Sequence, residues 1–305
     1  MRIVFFGSGK FTLPIVEKLH ACFTLLGIVI TKPRPSGRGL RSSWPEIGQW
    51  AQGQGIEVFA PGDPNEPSFI DNLIKLKPSL FVLSSYGHIL GHDLLGVPSL
   101  GSLNVHPSLL PKYRGAAPIQ RSIMAGEEQT GITIFFMDEK IDHGEMILQE
   151  TLDIDPGENY GSLRDRLSEV GADLVVKTIE SIRSGTCTKI PQNEEKMSYA
   201  PKIKKKEMII NWHDNTEKIV NLVRALSPKP GAESTFRDRK VKIISAVSGG
   251  MVLEPGKAHV DKKNIYVGTG DRSIILKQVK PQDRAVISGI DFKNGFHVKE
   301  GEVFG

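Results

Sequence analysis

Cysteine is scarce in this chain: Cys22 and Cys187 stand alone, far apart and without CxxC spacing. That argues against a disulfide framework or a cysteine-bound zinc. Apolar runs of membrane-spanning length are also missing, so no transmembrane helix is expected. The opening residues, MRIVFFGSG, carry an apolar run too short for a signal peptide and lead straight into a glycine turn, so a cytoplasmic protein is expected. Two familiar signatures are incomplete. Gly7-Ser8-Gly9 lacks the third glycine of GxGxxG, where Thr12 stands, and the second apolar run ends in Ile30-Thr31-Lys32 with no acid, so nicotinamide binding is not expected. No GxSxG elbow surrounds Ser108, which removes the simplest acyl-enzyme route.

What is present fits two domains, since 305 residues exceed a comfortable single core. Continuous apolar runs at 2–6, 25–30 and 80–84 alternate with helical patterns at 10–20, 45–54 and 69–76. That alternation predicts an α/β fold, a Rossmann-like and mostly parallel sheet, with ligands beyond the carboxyl ends of its strands. Strands near 132–137 and 146–152 and a long amphipathic helix over 162–183 complete this domain, placed at 1–189. A polar, lysine-rich linker is placed at 190–206. Beyond it, over 207–305, a helix at 215–226 and short strands at 240–246, 264–267 and 274–279 predict a small OB-like β-barrel.

Charge divides along the same line. Residues 1–201 hold 19 Lys+Arg and 23 Asp+Glu, a balance of −4, whereas residues 202–305 hold 20 and 12, a balance of +8. A basic module suits a polyanion such as nucleic acid, and equally a solvated lysine surface. A second basic feature, Thr31 to Ser42, contains Lys32, Arg34, Arg38 and Arg41 and no acid, broken by prolines and glycines into an irregular loop. It leaves the end of the second strand, where it could grip the phosphates of a long substrate.

Residues 102–121, SLNVHPSLLPKYRGAAPIQR, place Asn104, His106 and Ser108 at alternate positions, on one face if the strand is extended. The loop MDEKIDHGEM adds Asp142. Such a set serves direct attack of an amine on a small carbonyl. The histidine would move a proton, the aspartate would orient it, and the asparagine amide would donate to the oxyanion. A purely structural Asn-x-His strand remains open at this point. Metal binding by His88 and His92, or by His106 with Asp142 and His143, is the rival use of the histidines; no metal is expected because a third ligand is missing at the first pair.

Asn104-Val105-His106-Pro107-Ser108-Leu109-Leu110-Pro111, followed by Tyr113-Arg114-Gly115-Ala116-Ala117-Pro118, resembles the signature of formyltransferases that use 10-formyltetrahydrofolate. The resemblance extends to the RPSGRG loop, the Ser84-Ser85-Tyr86-Gly87 segment, the Asp142 loop and the basic C-terminal part, and it favours the branch acting on methionyl initiator tRNA. It implies that Asn104, His106 and Asp142 are catalytic, and that Ser108, Leu109, Leu110 and Pro111 contact the folate co-substrate. It further implies that the loop with Lys32, Arg34, Arg38 and Arg41 meets the tRNA acceptor stem and that the C-terminal domain holds the tRNA. A monomer serving translation initiation is expected. A relative acting on an amino sugar nucleotide or on water is the alternative.

Overall fold

The structure, a computed structural model, describes residues 1–32 and 44–305. Arg34, Arg38 and Arg41 of the expected tRNA loop lie outside the described residues.

The first unit comprises residues 1–118, 129–153 and 164–201. Its strands are β1 (Arg2–Gly7), β2 (Thr24–Val29), β3 (Val58–Phe59), β4 (Leu80–Ser84), β5 (Ser102–His106), β6 (Gln129–Phe136) and β7 (Met146–Asp153). They lie in the order β3-β2-β1-β4-β5-β6-β7. The pairs from β3 to β5 are parallel, and β6 and β7 are added antiparallel. The continuous apolar reading of β1 and β4 has its cause in this arrangement, for Ile3 to Phe6 and Leu80 to Leu83 are buried along their length. Each large apolar side chain so covered contributes about 1.5–3 kcal/mol relative to exposure. The helix Leu13–Cys22 sends Ile15, Val16 and Leu19 into the core, and Phe69 and Leu73 of the helix Pro67–Lys75 join Val4, Phe6 and Leu83.

The turn after β1 is built without the third glycine of a dinucleotide fingerprint. Thr12 is fully buried and donates its hydroxyl to the Gly9 carbonyl at 2.6 Å. A Cβ on Gly7 would stand 2.6 Å from the Ser84 carbonyl oxygen, so glycine is required for β1 and β4 to approach at their carboxyl ends. Ser8 accepts bonds from the Thr31 amide (2.8 Å) and hydroxyl (3.0 Å), fastening the turn to the end of the second strand.

The second unit comprises residues 119–128, 154–163 and 202–305. Its antiparallel sheet contains β8 (Ala232–Phe236), β9 (Arg239–Gly249), β10 (Ala258–Val260), β11 (Ile265–Gly268) and β12 (Ser273–Pro281) in the order β10-β11-β12-β9-β8, with β13 (Ile287–Ser288) paired to β12. The C-terminal residues bond to both edge strands: the Ala258 amide donates to Glu302 O, and Thr235 and Gly305 exchange two backbone bonds. The helix Thr216–Leu226, capped by the Asn215 side chain on the Lys218 amide, packs Ile219, Val223 and Leu226 with Val241, Ile243, Phe292 and Phe304. Strands β8, β10 and β13 and the helix Gly289–Gly295 go beyond what the sequence patterns predict.

Candidate active site

Asn104 and His106 leave the same face of β5, at the carboxyl end of the parallel part of the sheet. Ser108 does not join them. The strand ends at His106, because Pro107 has no N–H for the ladder, and Ser108 turns inward to donate its hydroxyl to the Lys112 carbonyl at 2.7 Å.

Asp142 is the hub. Its backbone adopts φ 49°, a left-handed conformation that a non-glycine residue holds where its surroundings fix it. One carboxylate oxygen accepts from the Asn104 amide at 3.3 Å; the other accepts from the Gly115 backbone N–H at 2.7 Å and lies 3.5 Å from His106 Nδ1. The shortest bond of this carboxylate is thus to a backbone amide, a partner that no side-chain motif announces. Gly115 is required there: it has φ 120°, and a Cβ would stand 2.9 Å from the Ala200 carbonyl oxygen. His106 is almost wholly buried against Phe135, with Nε2 3.0 Å from the Tyr113 carbonyl oxygen. The three expected catalytic side chains therefore meet, with the second N–H of the half-exposed Asn104 amide left for a ligand.

The four residues of the expected folate segment form a pinned turn. The Leu110 amide donates to Thr133 Oγ1 at 3.1 Å and its carbonyl accepts from Gln149 Nε2 at 3.1 Å. Leu109 packs on Gly131, and the Leu110-Pro111 bond is cis. Ser108 and Leu110 are buried, which leaves the partly exposed Leu109 and Pro111 as its accessible surface. Ser84 Oγ and the Tyr86 hydroxyl, at and just beyond the end of β4, are buried with no hydrogen-bond partner among the described residues. Burial also raises the Tyr86 phenol well above its ordinary pKa, holding it as a neutral donor.

Of the histidines offered for metal binding, His106 stays beside Asp142 and His88 lies against the Tyr86 ring. His92 pairs with Glu139 at 2.9 Å, and His143 pairs with Asp138 at 2.6 Å. Lys32 is exposed just after β2.

Sequence patterns also missed a strap. Residues 190–200, polar and aperiodic, bond along the central segment: the Arg114 amide donates to Ser198 O, the Ala117 amide to Ala200 O and the Tyr113 amide to Ser198 Oγ. The Arg114 guanidinium is buried between Gln192 and Glu194, at 2.7 Å from each, and its hydrogen bond holds the Glu194 carboxyl below the usual range.

In the second unit a cavity of about 370 Å³ is lined by Phe236, Phe292 and Phe296 together with Arg239, Lys240 and Arg284. Arg284 lies over the Phe296 ring at 5.2 Å. None of the three cations has an ion-pair partner among the described residues.

A formyl transferase family model matches residues 1–179, and a model of the formyl transferase C-terminal domain matches residues 202–297. The methionyl-tRNA formyltransferase of Carboxydothermus hydrogenoformans is 39% identical over 308 residues, covering 100% of this chain and 99% of that relative. The methionyl-tRNA formyltransferase of Syntrophus aciditrophicus is 37% identical over 309 residues, with 100% and 99% covered. Among solved structures, HypX from Aquifex aeolicus in complex with tetrahydrofolic acid superposes with a TM-score of 0.66 at 18% identity, over 99% of this chain and 48% of that one.

Proposed function

This chain belongs to the methionyl-tRNA formyltransferase family, and we propose that it transfers the formyl group of 10-formyltetrahydrofolate to the α-amine of methionyl initiator tRNA. The observation that carries the reading is the meeting of Asn104, His106 and Asp142 at the carboxyl end of β5. The free amine attacks the formyl carbon, which becomes tetrahedral. The N–H of Asn104 that Asp142 does not use donates to the new oxyanion, and the Asp142 carboxylate keeps the amide aimed. As the intermediate collapses, the bond from the formyl carbon to the folate nitrogen breaks. The attacking nitrogen loses one proton and the leaving nitrogen gains one, a transfer assigned to His106 with Asp142 beside it. The pair is treated as one titrating unit.

The donor fits this edge of the sheet. A pterin ring is rich in N–H and carbonyl groups, and Ser84 Oγ and the Tyr86 hydroxyl are buried polar atoms without a partner among the described residues. Leu109 and Pro111 supply apolar surface on the turn after β5, and the bonds on Ser108 and Leu110 hold that turn in place. For the acceptor, the support is charge. The module from 207 to 305 is read as the tRNA-binding part, with Arg239, Lys240 and Arg284 around its cavity as phosphate contacts, and Lys32, Arg34, Arg38 and Arg41 as a second set. We read the enzyme as a cytoplasmic monomer; among the described residues no helix is long and apolar enough to cross a membrane.

The test supplies 10-formyltetrahydrofolate with methionyl initiator tRNA, methionyl elongator tRNA or an amino sugar nucleotide, and measures N-formyl product. Product on the initiator tRNA is expected. Formylation of the sugar nucleotide alone, or hydrolysis of the donor alone, overturns the acceptor assignment.

A further inference from the structure

A connector without apolar periodicity needs only to span a gap, but one residue of this strap closes a ring of bonds around the central carboxylate. Gln192 Nε2 donates to the carbonyl oxygens of Asp142 and Gly144, each at 2.9 Å. Gln192 Oε1 accepts from Arg114 Nε at 3.0 Å and from Nη2 at 2.7 Å. Both donors and both lone pairs of the amide are thereby used, which fixes its orientation: turned over, it would set its oxygen against two carbonyls and its NH₂ against a guanidinium. Arg114 is buried and is itself held by Glu194. The residue after it, Gly115, donates its backbone N–H to the Asp142 carboxylate. The ring thus runs from the Asp142 carbonyl through Gln192, Arg114 and Gly115 back to the Asp142 carboxylate. Gly144 closes the same loop, and glycine is required there because a Cβ would strike the Phe136 carbonyl.

We propose that Gln192 is a positioning residue for the reaction: its side-chain amide sets the Asp142 loop so that the carboxylate meets Asn104, Gly115 and His106 together. The role rests on the formyl-transfer reading of that triad. Gln192 acts through Asp142, so it should govern the rate of the chemical step rather than the binding of either substrate.

The informative variant is Gln192→Glu. It keeps an oxygen for Arg114 and places the other against two carbonyl oxygens, so the strap stays anchored while the Asp142 loop is repelled. Gln192→Ala, which removes both interactions, is the second variant should the first fail to fold. Single-turnover formyl transfer should fall ~10–100-fold in either, with KM for folate and tRNA within ~3-fold of the parent chain. In an Asp142→Asn background the same change should cost less than ~2-fold more, because the residue acts only through that side chain. Hydrogen exchange of residues 137–146 in the full chain should quicken in both variants. An unchanged rate, or a loss that multiplies undiminished in the Asp142→Asn background, overturns the proposal. If the parent chain transfers no formyl group, the reaction reading fails instead. Exchange then decides the positioning role by itself, with faster exchange supporting it and unchanged exchange ending it.

Discussion

The candidate active site of the first unit and the cavity rim of the second handle polar groups in opposite ways. In the first, the site is buried and bonded: Asp142 accepts from Asn104 and Gly115, the Arg114 guanidinium is matched by Gln192 and Glu194, and His106 lies between the Asp142 carboxylate and the Tyr113 carbonyl. In the second, Arg239, Lys240 and Arg284 stand exposed around a cavity with no ion-pair partner among the described residues. A bonded constellation that leaves one Asn104 N–H over is suited to directing charge in a transition state, since its dipoles are aimed before the substrate arrives. Exposed cations are suited to exchanging small counterions for phosphates, which gives affinity and salt dependence with little geometry. The contrast also separates what substitution should do, for losses at the Asn104, His106 and Asp142 cluster belong to turnover and losses at the cavity rim of the second unit to binding.

The largest effect expected is that of His106→Ala, which should lower turnover ~10²-fold or more with tRNA affinity largely kept, read by single-turnover kinetics beside filter binding. Near-normal turnover would remove His106 from the proton path and break the contrast at its strongest point. Next stands Gly115→Ala. Its φ of 120° and the 2.9 Å approach of a Cβ to the Ala200 oxygen should cost about 2 kcal/mol of stability in urea unfolding and loosen the bond to Asp142. Turnover should therefore fall along with stability. Stability equal to the parent chain would mean that the strap yields more easily than its bonds imply.

How far these features are legible in the sequence depends on where their bonds go. The apolar runs of β1, β2 and β4 announce buried parallel strands, and the alternation of Asn104 with His106 announces a shared face. Ser108 is misplaced by that same alternation, because Pro107 ends the ladder one residue earlier. The strap over 190–200 leaves no periodic signal, since it is held by backbone bonds to residues 113–117 and by Gln192, none of which requires an apolar face. Likewise β10 and β13 are short, β8 (AESTF) has only Ala232 and Phe236 as apolar residues, and the bonds of the terminal residues to both edges of their sheet are backbone bonds. Motifs name side chains; they are silent about amide partners such as Gly115.

A smaller effect is expected from replacing Arg239, Lys240 and Arg284 together by alanine. Initiator tRNA binding should weaken ~10-fold near physiological salt, and the slope of log affinity against log salt should flatten by ~1–2. An unchanged slope would detach these cations from phosphate contact and leave the second unit's charge a solvated surface. The smallest concerns a pair within the second unit. Arg121 holds the Glu207 carboxyl down to about 2 by its hydrogen bond, with the Lys204 backbone amide assisting. A depressed carboxyl stabilises the folded state above its unfolded value and loses that contribution as pH falls through its folded one. Glu207→Gln should therefore lower Tm by ~1–3 °C at pH 7, with the difference shrinking as pH falls from about 4.5 toward 2. A difference that stays constant across that range would show that the carboxyl is not held down by Arg121.

The most direct test of the division of labour is the single-turnover rate of formyl transfer as a function of tRNA concentration. The account predicts that the triple alanine variant of Arg239, Lys240 and Arg284 returns to within ~2-fold of the parent rate once tRNA saturates, while His106→Ala remains ~10²-fold slow at every concentration. A triple variant that stays slow at saturation, or a His106→Ala enzyme rescued by more tRNA, would contradict it.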